Sequence, residues 1–282
     1  MGRKLKKYSG NIVYAICLLV AIISTLSSYG QKEGIQDQKL SVKVAAYNVE
    51  FSDKGTSREI AEMLKPYDFD IVCFSEAPGG NWTKDVATAL GMKHSVVGKY
   101  STAGHKDKYK TIVSKTALLD YEEVLMADTL HSATKAITEI GGKKIAIYSV
   151  HFPFGWRDQA HIDETTGKIT SFASQVKAAD GDETAIVMGD FNFILSTADY
   201  PSMYYDLFVK MGFEASWKDI GTDVTKLSSM VGSSRRDTTG KGRVIDHIMY
   251  PKDKVKALDG QIIELDKPLS DHKPVWALLE IE

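Results

Sequence analysis

The chain has 282 residues, 43% hydrophobic and 26% charged, which is the composition of an ordinary globular protein able to bury a large core. Its 35 Lys and Arg against 37 Asp and Glu exclude a protein that grips nucleic acid through an overall basic surface. No Cys or His cluster has zinc-site spacing, and neither a Gly-rich phosphate loop nor a Gly-x-Ser-x-Gly elbow occurs, which sets those chemistries aside.

Arg3, Lys4, Lys6 and Lys7 precede an uncharged apolar run from Ile12 to Leu26, and Ser28 and Gly30 stand before Gln31. This pattern predicts a secretory signal peptide over residues 1–30 and an exported protein, periplasmic or extracellular. An uncleaved N-terminal membrane anchor is the alternative, because the run lies near the length at which a helix spans a bilayer. Cleavage removes Cys17 and leaves Cys73 alone, so no internal disulfide is expected. It also leaves 31 basic against 37 acidic residues, a net charge of about −6. No linker or repeat divides residues 31–282, so one large domain is expected. No obligate protein partner is inferred, and a monomer is expected.

Along that domain, Ser41 to Glu50 reads as a strand that delivers Asn48 near its end. Thr56 and Glu59 have capping-box spacing, Ile60, Met63 and Leu64 form one helical face, and Pro66 stops the helix. Ile71 to Phe74 is a short continuous apolar run, the pattern of a strand buried on both faces, with Glu76 just after it. Asn81 to Leu90 reads as a helix stopped by Gly91. Ala136 to Val150 reads as a hairpin turning at Gly141 and Gly142 and delivering His151. Thr184 to Met188 is a second buried strand, which delivers Asp190 and Asn192. A helix around Met203 to Met211 and strands near Val244 to Met249 and Trp276 to Ile281 complete the chain. Polar residues gather where strands stop, as expected of an α/β protein whose site is built from loops at one rim.

A carboxylate just after a buried strand, as at Glu76, needs a cation or several donors unless it is simply a surface residue at a strand end. Asn48, likewise near a strand end, taken alone reads more readily as a turn residue than as a ligand. Gly189-Asp190-Phe191-Asn192 sets an oxygen ligand and an amide two residues apart after a Gly that permits close approach, although Gly, Asp and Asn also make plain turns. Ser270-Asp271-His272 joins a carboxylate to a group that titrates near neutrality. Adjacent strand residues face opposite ways, so only one of Asp246 and His247 can enter the site; Asp246 is chosen, as the partner that orients His272. His151 opens the run Phe152-Pro153-Phe154-Gly155-Trp156, whose aromatics read as core packing rather than a base-stacking platform. Arg235, Arg236 and Arg243 form a local basic segment suited to phosphate contact. Carboxylate and amide oxygens point to Mg²⁺ or Mn²⁺, with Ca²⁺ as a further candidate.

Taken in order, Tyr47-Asn48-Val49, Phe74-Ser75-Glu76, Ser149-Val150-His151-Phe152, Gly189-Asp190-Phe191-Asn192, Ile245-Asp246-His247-Ile248 and Ser270-Asp271-His272 resemble the endonuclease/exonuclease/phosphatase superfamily, the group that contains pancreatic deoxyribonuclease. The resemblance implies a four-layer α/β sandwich of two mixed β-sheets flanked by helices. It implies Glu76 as principal metal ligand with Asn48 and Asp271 nearby, and Asp190 and Asn192 as groups that position nucleophile and phosphate. Asp246 and His272 then form an acid and imidazole pair, and His151 contacts phosphate. The family commonly has Gln before the metal Glu, where this chain has Ser75. Expected is a metal-dependent phosphoric ester hydrolase, nuclease-like and acting on phosphodiesters, in which His272 or Asp190 takes a proton from water. A sphingomyelinase-like phospholipid phosphodiesterase or a small-substrate phosphomonoesterase is the alternative, and a non-catalytic binding module on the same fold is a further one.

Overall fold

The computed structural model describes residues 39–154, 158–181, 183–196, 202–231 and 243–282. The expected signal peptide, Trp156, Arg235 and Arg236 lie outside the described residues. Among the described residues, no helix is long and apolar enough to cross a membrane.

Among the described residues, twelve strands form two six-stranded sheets. The first contains β1 (Leu40–Asn48), β2 (Ile71–Ala77), β3 (His94–Val97), β4 (Tyr109–Ser114), β11 (Val255–Ile262) and β12 (Val275–Ile281), in the order β11-β12-β1-β2-β4-β3. The second contains β5 (Leu119–Leu125), β6 (Ser132–Ile140), β7 (Lys143–His151), β8 (Thr184–Asp190), β9 (Phe213–Ala215) and β10 (Asp246–Pro251), in the order β5-β6-β7-β8-β10-β9. Each sheet is mixed and has one central parallel pair, β1 with β2 and β7 with β8. Gly141 and Gly142, both at positive φ, make the expected hairpin turn between β6 and β7.

Period-2 alternation splits β1 between two cores. Val42, Val44 and Ala46 pack into the large core with residues of the second sheet such as Ile147 and Val187. Ala45 and Tyr47 face the other way and are covered by helices α1 (Ser57–Leu64) and α2 (Trp82–Leu90), through Ile60, Ala61, Leu64, Val86 and Ala87. Burial on both faces is why this strand reads as nearly continuous apolar sequence. Thr56 and Glu59 form the expected reciprocal capping box, and Pro66 lies in the 3₁₀ turn that ends α1. Gly91, left-handed at φ 78°, ends α2. On the outer side of the second sheet, α3 (Gln159–Ala179) buries Ile169, Phe172, Ala173 and Val176, and Phe172 meets Tyr148 and Phe152 edge-on. Phe208 of α4 (Met203–Lys210) packs on Phe152, Phe191 and Phe193. The result is helices, sheet, sheet and helices, the four-layer α/β sandwich.

Several elements have no counterpart in the sequence reading. The first ten residues of α3 are mostly polar, so its apolar stripe emerges only in the second half. Strand β5, with sequence LDYEEVL, is an edge strand with its first four residues exposed, and its charges hide the alternation. Of the aromatic run after His151, Phe152 is core as expected, whereas Phe154 is 48% exposed.

Candidate active site

The carboxyl ends of the parallel pairs and the amino ends of their antiparallel neighbours lie at one rim. Asn48 ends β1, Glu76 lies near the end of β2, His151 ends β7 and Asp190 ends β8. Asp246 opens β10, and Asp271 and His272 precede β12.

Glu76 owes its direction to a β-bulge. Phe74 pairs with Thr111 and Ala77 with Tyr109, so β2 carries one extra residue against β4, and Glu76 sits at φ 53°. A non-Gly residue held there costs on the order of 1–3 kcal/mol, and bulges commonly re-aim side chains at functional rims. Its Oε2 lies 2.8 Å from Lys108 Nζ, and its Oε1 accepts from Asn48 Nδ2 at 3.4 Å. Among the described residues, the hydroxyl of Ser75, buried beside it, has no hydrogen-bond partner, and Glu76 is supported by Lys108 and Asn48.

Asn48 is buried and bridges the carboxylates, with Nδ2 also donating to Asp190 Oδ2 at 2.9 Å. Its Oδ1 accepts the Glu50 N–H at 3.0 Å, which sets the amide orientation. As placed, Asn48 offers the acids a donor rather than offering a cation an oxygen. Ser270 Oγ donates to the Asn48 carbonyl at 2.7 Å and accepts the His272 N–H at 3.2 Å, tying the Ser-Asp-His loop to the end of β1. Asp271 has its N–H on Glu50 Oε2 at 2.9 Å and its Oδ1 4.0 Å from His272 Nε2.

Gly189 is required at its position. At φ 148°, a Cβ there would lie 2.1 Å from the Val150 carbonyl oxygen of the neighbouring strand. Asp190 follows, 2% exposed, with Oδ1 accepting the Asn192 N–H at 2.9 Å. Asn192, at φ 52°, donates Nδ2 to the Phe152 carbonyl at 2.8 Å. Burial pushes the Asp190 carboxyl up, against the pull of His272.

Asp246 and His247 divide as strand alternation requires. Asp246 Oδ2 meets His272 Nδ1 at 2.9 Å inside the site. His247 turns into the core, where Trp217 Nε1 donates to its Nδ1 at 3.2 Å and its Nε2 donates to the Phe193 carbonyl at 2.7 Å. Burial works against charge on His272, but Asp246 and Asp190 on its two sides outweigh it and hold the imidazolium up to about 10. His151 is the opposite case. Burial pushes it down to about 4, leaving it neutral, with Nε2 3.6 Å from Asp190 Oδ2 and 3.7 Å from Glu76 Oε1.

The donor set fits a divalent cation. Asp190 and Asp246 bring carboxylate oxygens within 4.8 Å of one another beside a ring nitrogen of His272, and among the described residues Asp246 Oδ1 is buried without a hydrogen-bond partner. Glu76, Asp190, Asp246 and Asp271 converge there with Lys108 and His272 as positive neighbours. Carboxylates that are buried, as Asp190 and Asp246 are, or largely withdrawn from water, as Glu76 and Asp271 are, and that outnumber their cations are stabilised by a hard, oxygen-seeking ion.

Lys108 carries no sequence signal, since it lies within the charged loop Lys106-Asp107-Lys108. Ser229 is equally silent in sequence. Its Oγ accepts the N–H groups of Ile245 and Asp246, and its carbonyl accepts that of Lys273 at 2.7 Å, so it joins the two motif loops. Arg243 is half-buried, and its carbonyl accepts from Ser228 and Ser229.

The profile of the Endonuclease/Exonuclease/phosphatase family matches residues 45–272, which span the whole constellation, and the chain belongs to that family. No curated protein sequence matches. Among solved structures, an endonuclease/exonuclease/phosphatase from Beutenbergia cavernae superposes with TM-score 0.70 at 15% identity, over 86% of this chain and 72% of that one. D. rerio TDP2 in complex with a single-strand DNA product gives TM-score 0.64 at 16% identity, over 85% and 98%. An AP endonuclease from Archaeoglobus fulgidus gives 0.63 at 18%, over 84% and 98%. At these identities the likeness establishes the fold.

Proposed function

We propose that this protein hydrolyses phosphodiester bonds with a divalent metal, that nucleic acid is its substrate class, and that it acts after export. The observation that carries the reading is the meeting of Glu76, Asp190, His151 and His272 at one rim. Glu76 and Asp271 would hold the ion, Mg²⁺ or Mn²⁺, with Ca²⁺ as a further candidate. When bound, it supplies positive charge against the phosphate oxygens.

The chain's own groups divide the remaining work. His272 has a carboxylate near each ring nitrogen, Asp246 at 2.9 Å and Asp190 at 3.6 Å, and such an imidazole is a donor on both sides. It therefore contacts phosphoryl oxygen through Nε2, and Asp190, an acceptor fixed by Asn48 and Asn192, takes the proton from the attacking water. As neutral imidazole, His151 donates one hydrogen bond from Nε2 to the developing charge. Asn192, half-buried beside Asp190, orients the phosphate. In-line attack forms the new P–O bond as the ester oxygen departs.

Nucleic acid is favoured because neighbours on this fold include a DNA-product complex and an AP endonuclease, and because Arg235, Arg236 and Arg243 supply a local basic segment. Export rests on the charged and apolar pattern of residues 1–30. Purified protein lacking residues 1–30 should be assayed with plasmid DNA, single-stranded DNA, RNA, sphingomyelin and inositol phosphates, with each metal and with chelator. Metal-dependent cleavage of a nucleic acid is expected. Full activity in excess chelator would remove the metal reading, and turnover of the lipid or inositol phosphates alone would replace the substrate class.

A further inference from the structure

We infer that Lys108 is a built-in counter-cation of Glu76 that the divalent metal must displace, so that ammonium and metal compete for one carboxylate. The inference rests on the proposed reading of Glu76 as a metal ligand.

Lys108 Nζ contacts Glu76 Oε2 at 2.8 Å, and the two side chains are only 17% and 13% exposed. A pair so withdrawn from water is not one of the weak, screened pairs of an open surface. The other Glu76 oxygen faces Asn48 Nδ2 at 3.4 Å and the neutral His151 at 3.7 Å. Among the described residues, Lys108 is therefore the full positive charge in contact with Glu76.

Its position is built. The Lys108 N–H donates to Ser101 Oγ at 3.0 Å, its carbonyl accepts the Thr102 N–H at 3.0 Å, and the ammonium lies 4.1 Å from the centre of the Phe51 ring. Phe51 is the middle of three consecutive left-handed residues, at φ 45°, 57° and 62° for Glu50, Phe51 and Ser52. Such backbone persists only where its surroundings over-determine it. Here the Glu50 N–H is held by Asn48 Oδ1, and the Glu50 carboxylate accepts the Asp271 N–H. The same residues that frame the site thus hold the ring beneath the ammonium.

A divalent ion on Glu76 and an ammonium 2.8 Å from the same carboxylate repel each other. Exchange of one cation for the other leaves Glu76 compensated in both states, so the metal-free protein keeps its rim folded while metal affinity is reduced. Displaced from Glu76, the ammonium is available to a substrate phosphate.

Calorimetric titration of Mg²⁺ and of Mn²⁺ into the wild type, Lys108→Met and Glu76→Gln, without substrate, tests this. Lys108→Met should bind metal about tenfold more tightly than wild type, within the usual range of site coupling. Its metal-free form should unfold at a lower temperature than wild type, and saturating metal should narrow the gap. Glu76→Gln should lose binding. Unchanged affinity in Glu76→Gln would overturn the ligand reading itself. Loss of binding in Glu76→Gln with no gain in Lys108→Met would overturn the competition alone. If Lys108→Met does not fold, a crystal structure of the wild type with Mn²⁺ decides. Separation of Nζ from Glu76 beyond the ion-pair limit of about 4 Å supports the inference, and an intact pair beside a bound ion overturns it.

Discussion

Asn48 Nδ2 donates to Asp190 Oδ2 at 2.9 Å, a hydrogen bond that joins the end of β1 in one sheet to the end of β8 in the other. The rim is therefore locked across the seam between the sheets. Hydrogen bonds to charged groups contribute about 1.5–3 kcal/mol, so Asn48→Ala should lower the unfolding free energy by about that amount. Asn48→Asp should be worse, because it sets a third carboxylate against Asp190 and Glu76. Urea denaturation without metal measures both, and equal stability of wild type and Asn48→Ala would show that the bond does not lock the rim.

Asp246 and His272 should act as one unit. His272→Ala is expected to lose roughly 10²- to 10³-fold in rate, the usual contribution of one preorganised donor to transition-state charge. Asp246→Asn should lose much of the same factor, because an amide holds the imidazolium less well. Groups acting together are non-additive, so the double variant should be little slower than His272→Ala. Single-turnover rates of the four proteins provide the check, with fully multiplicative losses as the adverse result.

Gly189 admits no side chain. A Cβ 2.1 Å from the Val150 oxygen must move backbone, not the tip of a flexible chain. Gly189→Ala should therefore cost on the order of 3 kcal/mol, combining overpacking with an unfavourable φ. A thermal midpoint within a degree of wild type would contradict this.

Lys110 sets an alkaline signature. Fully buried, its Nζ donates to the Tyr100 carbonyl at 2.9 Å and Ser132 Oγ at 3.0 Å, and burial pushes it down from 10.5 to about 8, against the pull of Glu123. The folded value lies below the unfolded one, so between these limits the unfolded chain binds more protons and stability rises with pH. The cost of charging Lys110 is fully present below about pH 8 and is relieved towards pH 10.5, a span worth about 3 kcal/mol. The wild type should gain that much relative to Lys110→Met between these limits, since buried tyrosines common to both cancel. A pH-independent difference in urea unfolding free energy would refute it.

By sequence alone, local grammar determined a good deal of this protein. Continuous apolar runs marked the strands buried on both faces, Thr56 and Glu59 marked the start of α1, and Gly91 marked the end of α2. The six motifs in order brought the family and the four-layer sandwich with them, and strand alternation assigned Asp246 to the rim and His247 to the core. These signals are local because capping, turns and burial of a strand depend on near neighbours in the chain. Only the tertiary structure decided that Asn48 meets Asp190 through its nitrogen, that a bulge turns Glu76 to positive φ, and that Lys108 covers it. Those relations arise where two sheets stack and a loop folds over their edge, joining residues whose separation along the chain leaves no periodic trace. The charge states of the two histidines belong there too, because the carboxylates flanking His272 and the burial of His151 exist only once the sheets have packed.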